Sequence, residues 1–126
     1  MAKSVIHEKS FHFALEVIEL CKKLQAEREY VLSKQLLRNG TSIGANIEEA
    51  LAGQSRKDFL SKMAVASKEA RETRYWLSLL QKSNLTKVGL NPAIKSNEEL
   101  IRILTSIVKT TAESPATQNS KFKTQN

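Results

Sequence analysis

Apolar residues recur along this chain with the period of an α-helix. Phe11, Leu15 and Ile18 form one stripe; Phe13, Val17, Leu20 and Leu24 form a second, joined by Cys21. His12, Glu16, Glu19 and Lys23 supply the polar side, so a first helix is predicted over about 10–25. Two stripes make a wider apolar face than one intramolecular contact needs. No Gly or Pro follows, yet a break is expected near Ala26–Glu29. An unbroken helix to Leu51 would run about 60 Å, too long for a domain of this size.

A second helix is predicted from Tyr30 to Leu51. Asn39-Gly40 ordinarily marks a turn, but the phase survives it: Leu36, Leu37, Gly40, Ile43, Gly44, Ile47 and Leu51 share one face. Each interior glycine costs about 1 kcal/mol of helix propensity. Close helix packing is the expected compensation, with the helix lying tightly along the one that follows. Asn46, among these small residues, is expected to be buried and to fix register across helices. Gly53 is the expected C′ residue.

Ser55 with Asp58 reads as a cap for a third helix. Its seam is Phe59, Met63, Ala66, Ala70, Thr73, Leu77 and Leu80, alternating spacings of four and three. A loop spans Ser83–Asn91. Two starts compete for the fourth helix: Asn91-Pro92, with Pro at the first helical position, and Ser96 with Glu99. Its apolar positions are Ile101, Leu104 and Val108, widened by Leu100, Ile103 and Ile107. The helix is expected to fade near Ala112. The fold class is all-α, an antiparallel up-down-up-down four-helix bundle over residues 1–112. Residues 113–126, polar and poor in apolar groups, are expected to be a disordered tail.

Composition adds little to the fold but sharpens the chemistry. The 126 residues carry 20 Lys and Arg against 13 Asp and Glu, a net charge of +7. Such a surface attracts polyanions. The N-terminal stretch lacks a secretory pattern, and no apolar run reaches a membrane-spanning length. With a lone cysteine, Cys21, this predicts a cytoplasmic protein without membrane contact.

The third helix viewed down its axis segregates its charges. Arg56, Lys57, Lys68, Arg71, Arg74 and Lys82 fall within an arc of about 120°, with Tyr75 among them. The apolar seam flanks the arc on one side; Asp58, Glu69 and Glu72 flank it on the other. Such a ridge, about 39 Å long, can follow a phosphate backbone and stack a base. The competing reading pairs these bases with Glu48 and Glu49 of the second helix, or with a neighbouring subunit. Trp76, off the seam, either snorkels or anchors a subunit contact.

Other constellations carry no chemistry. Glu48 and Glu49 point about 100° apart and do not converge. His7 and His12 are five residues apart, outside helical ligand spacing, so no metal is expected. Cys21 lacks an evident His or Asp partner and reads as a core thiol. Gly40–Gly44 lacks the lysine and preceding strand of a phosphate loop. No cofactor is expected.

The run Leu36-Leu37-Arg38-Asn39-Gly40-Thr41-Ser42-Ile43-Gly44-Ala45-Asn46-Ile47-Glu48-Glu49-Ala50 resembles the signature of the four-helix-bundle family encoded by intervening sequences in bacterial 23S rRNA genes, also called the S23 ribosomal protein family. So does Ser55-Arg56-Lys57-Asp58-Phe59-Leu60, followed by Ala64, Ser67, Glu69 and Thr73–Leu77. The resemblance covers about residues 8–110. The family is similar in fold to the accessory variability protein of diversity-generating retroelements. The resemblance implies a homopentameric ring, no enzyme activity, and RNA, DNA or a protein such as a reverse transcriptase as partner. Two functions follow as expectations: a non-catalytic oligomer that binds nucleic acid through the third helix, or a structural adaptor for a protein partner.

Overall fold

The computed structural model of the chain describes residues 2–122, and the side chains of residues 5–113. The first helix, α1 (Ala2–Ala26), begins well before the expected Ser10. The reason is a seam that reaches further back than its bulky members suggest. Ile6 and Ser10 are as buried as Phe13, Val17, Leu20 and Leu24, and together they keep the four-three spacing. Of the two stripes, the one through Phe13 enters the core. The other, Phe11, Leu15 and Ile18, stays exposed.

The break after Ala26 falls where chain length demanded it. Arg28 adopts φ 67°, a left-handed conformation that costs a non-glycine residue about 1–2 kcal/mol. Glu29 helps to offset the cost. Its carboxylate accepts from the backbone N–H groups of Ser33 at 2.7 Å and Leu32 at 3.1 Å, so it caps the next helix where Tyr30 makes no side-chain cap.

The second helix, α2 (Val31–Leu51), winds unbroken through Gly40 and Gly44. Leu36, Ile43 and Ile47 form its inward stripe. The glycines lie on the flank facing α1 rather than the following helix, correcting the expected partner. A Cβ at Gly40 would stand 2.9 Å from Val17 Cγ2; one at Gly44 would stand 3.5 Å from the Ser10 backbone oxygen. Gly53 takes the expected C′ position directly after the cap residue Ala52, but its backbone is not left-handed. A Cβ there would crowd Asp58 Cβ and the Ala50 carbonyl, both at 3.2 Å, so the turn's tightness is what selects it.

The third helix, α3 (Arg56–Ser83), starts as predicted: Ser55 Oγ accepts from the Asp58 N–H at 3.0 Å. Met63, Ala66, Ala70, Thr73, Leu77 and Leu80 are buried, with Ser67 added to the seam. Asn84, left-handed at φ 59°, ends the helix. The fourth helix, α4 (Asn91–Phe122), takes the first of its two candidate starts, so Ser96 and Glu99 lie inside it. It continues to Phe122 rather than fading near Ala112. The expected tail, residues 113–126, is therefore helical through Phe122, and residues 123–126 lie outside the described residues.

Each helix packs against its neighbour in sequence, and α4 closes back onto α1, giving the four-helix bundle. One core runs through it, mainly aliphatic, with Phe13 its one fully buried aromatic side chain among the described residues. The Glu27 carboxylate accepts from Thr86 Oγ1 and from the Lys87 N–H, tying the α1–α2 turn to the α3–α4 loop. No helix of the described residues is long and apolar enough to cross a membrane.

Candidate nucleic-acid interface

Capped at Ser55 and buried along one side, α3 is a 28-residue helix that supports whatever its outer face presents. Arg56, Lys57, Lys68, Arg71, Arg74 and Lys82 are all exposed, and Tyr75 among them is 57% exposed. The segregation read from the sequence therefore survives folding. The bases nearest α4 make loose contacts with it: Arg74 Nη1 lies 3.7 Å from Glu98 Oε1, and Arg71 Nη2 donates to Thr105 Oγ1 at 3.3 Å. No carboxylate among the described residues forms an ion pair with Arg56, Lys57, Lys68, Arg71 or Lys82. Glu48 and Glu49, the expected intramolecular partners, are engaged elsewhere. Glu48 pairs with His7 on α1, and Glu49 holds Lys62 at 2.7 Å.

The acidic flank of the ridge is built into the bundle. Asn39, wholly buried on α2, donates through Nδ2 to Glu69 Oε1 at 2.6 Å and Glu72 Oε1 at 2.7 Å. Its Oδ1 accepts from Trp76 Nε1 at 2.7 Å, and Ser42 Oγ donates to Glu69 Oε1 at 2.8 Å. One amide thus uses both N–H groups and its oxygen to join α2 to α3. This corrects the reading of Asn46. That residue is half-buried, and its Nδ2 donates to the Ser42 carbonyl of its own helix at 2.9 Å. The cross-helix amide is Asn39, which in the sequence reads as half of a turn signal and as part of the family signature. A trace was available: Glu69, Glu72 and Trp76 share one flank of α3, opposite an Asn-bearing flank of α2.

Trp76 correspondingly spends its N–H inside the molecule. Its ring meets Tyr75 edge to face, with centroids 5.2 Å apart and planes at 69°. Cys21 is a core thiol, as expected: buried, it donates from Sγ to the Ser33 carbonyl at 3.3 Å. Burial, reinforced by Glu29, pushes its pKa up to about 11. No group of three or more metal-ligating side chains occurs among the described residues.

Phe11, Leu15 and Ile18 are exposed on α1. Phe11 also lines a groove of about 210 Å³ between α1 and α2, with Ala14, Thr41, Gly44 and Ala45 among its other walls. By contrast, Leu100 and Ile107 of α4 are buried within the bundle. The widening positions Leu100 and Ile107 of α4 are thus taken up by the core, and Ile103 and Val108 pack partly buried against it.

The profile of the family described as 23S rRNA-intervening sequence protein matches residues 2–106. A solved structure from the S23 ribosomal protein family, a protein of unknown function from Bacteroides thetaiotaomicron VPI-5482, is 45% identical. The match covers 87% of this chain and all of that one, with a TM-score of 0.82. No curated protein matches the chain. With the four helices in place and most of the chain matched, the protein belongs to the 23S rRNA-intervening sequence protein family.

Proposed function

We propose that this protein is a non-catalytic, oligomeric bundle of the cytoplasm that binds nucleic acid, rRNA or another structured RNA or DNA, through the exposed face of α3. The observation that carries this reading is the ridge itself: six exposed bases and an exposed tyrosine on one side of one rigid helix, five of the bases without an ion-pair partner among the described residues. Bases paired with carboxylates have little left to offer a phosphate. Unpaired ones can displace counterions condensed on the nucleic acid, whose release gains entropy. Binding should be weak and largely indifferent to sequence, because the ridge supplies charge rather than a set of base-edge contacts.

If all six bases engage, log K should fall against log salt with a slope of about −4 to −5. Replacing Lys68, Arg71 and Lys82 together by Glu should abolish binding in fluorescence anisotropy with labelled RNA and DNA at low salt. All three side chains are exposed, so the fold should persist. Absence of binding by the parent protein, or unchanged binding by the triple variant, would leave the adaptor reading in its place.

The apolar stripe of α1 supports self-association. Phe11 at 59% exposure, lining a groove with small residues, and Leu15 at 47% exposure on the same stripe form a face that a second copy can cover. Light scattering at micromolar concentration should give an oligomer mass, a pentamer if the family resemblance extends to assembly. Replacing Phe11 and Leu15 by Lys should yield monomers; a monomeric parent protein would refute this part.

A further inference from the structure

A ridge that only follows phosphates has no use for an aromatic ring, and Tyr75 is not placed at random within the ridge. Lys68 and Lys82 stand seven residues before and after it, so all three lie on one line of the helix surface, about 10.5 Å apart along the axis. Arg71 lies one turn before the ring on the neighbouring line. More than half of Tyr75 is open to solvent, yet its ring leans on an indole that cannot readily move. The Trp76 N–H is spent on Asn39 Oδ1, and Asn39 is wholly buried and held on its other side by Glu69 and Glu72. The chain of contacts from core amide to indole to phenol restricts the rotation that an exposed tyrosine otherwise has. A ring held in place loses less conformational entropy when a base stacks on it.

The same network places negative charge on the side of the ring away from the bases. Phosphates are attracted to the Lys68–Lys82 line and repelled from the Glu69–Glu72 flank, so a strand has a defined side on which to lie. Within a duplex the bases are already stacked on one another, and only unpaired nucleotides can present a free face to a protein ring.

Building on the reading of α3 as the nucleic-acid interface, we propose that its ligand is single-stranded. An unpaired base stacks on Tyr75, and the adjoining phosphates are held by Lys68, Arg71 and Lys82. Trp76 and Asn39 are positioning residues for Tyr75.

The test compares a labelled single strand of about 12 nucleotides with the duplex of the same sequence by fluorescence anisotropy at low salt. The single strand should bind about tenfold more tightly. Tyr75→Ala should weaken single-strand binding by about 5- to 100-fold and leave duplex binding unchanged. Its log K against log salt slope should match that of the parent, because stacking releases no counterions, whereas Lys68→Gln or Lys82→Gln should each flatten the slope by about 0.7. Tyr75→Phe should retain the parent affinity. Trp76→Leu should weaken single-strand binding selectively; a purely structural role for the indole would weaken both forms together. Equal affinity for the two forms, or a Tyr75→Ala variant indistinguishable from the parent, would overturn the single-strand assignment while the charge-based reading stands. Failure of the parent to bind either form overturns both.

Discussion

Replacing Asn39 by Asp is expected to destabilise the bundle by about 3 kcal/mol at neutral pH. The side chain is wholly buried, and its Nδ2 stands 2.6 Å and 2.7 Å from two carboxylate oxygens. The substitution exchanges a donor of two hydrogen bonds for a third negative charge in the same space. Glu72 is exposed, so its share of the repulsion is screened; Glu69 is half-buried and Asn39 is not exposed at all, so theirs is not. The defect should also depend on pH. Burial and neighbouring carboxylates favour the protonated form of the new side chain in the folded state, raising its pKa above the unfolded value. The folded state then holds more protons than the unfolded one in the window between those two values. Stability therefore falls as pH rises through that window and recovers on acidification below it. Urea unfolding of parent and variant at several pH values measures this directly. Asn46→Asp is the control, since that amide bonds only within its own helix, and it should cost less than about 1 kcal/mol. A loss at Asn39 that is small and flat with pH would show that the amide does not hold α2 to α3.

Substituting the two helical glycines should give opposite results. Gly40→Ala gains about 1 kcal/mol of helix propensity but drives its Cβ to 2.9 Å and 3.0 Å from the two methyls of Val17. Valine is short and branched at Cβ, and Val17 is fully buried, so it has little room to give way. Overpacking of this kind costs about 1–3 kcal/mol, and a net loss of stability is expected. Gly40→Leu, which forces a whole side chain into that contact, should cost about 3 kcal/mol or more and separate α1 from α2. Gly44→Ala meets nothing nearer than 3.5 Å, an ordinary contact. It keeps the propensity gain and should raise stability by about 0.5–1 kcal/mol. Thermal melts of the three variants check the sign at each position. Equal effects at Gly40 and Gly44 would mean that neither glycine is selected by the approach of α1.

The seam of α3, its Ser55 cap and the passage of α2 through Asn39-Gly40 were all legible in the sequence, because each is a local matter of period or capping. The early start of α1 was legible only in part. Ile6 and Ser10 keep the seam spacing, but a serine does not advertise itself as a buried position until Gly44 is seen to lie against it. The basic arc was legible because residues on one helix share a fixed angular frame. Its pairing was not: whether Glu48 and Glu49 reach those bases depends on which side of α3 the second helix occupies.

What the sequence by itself determined, then, is each helix in isolation: its extent where the apolar period is strong, its buried stripe, and which charges share a face. What only the tertiary structure decided is the relation between helices. It put the glycines of α2 against α1, chose Asn39 over Asn46 as the bridging amide, and propped Tyr75 on an anchored indole. The physical reason is that Asn39 and Asn46 lie seven residues apart, on nearly the same line of α2, and are equivalent by angle. Only the axial register of α3, set by packing along the whole shared core, brings Glu69, Glu72 and Trp76 level with one of them and leaves the other to its own helix.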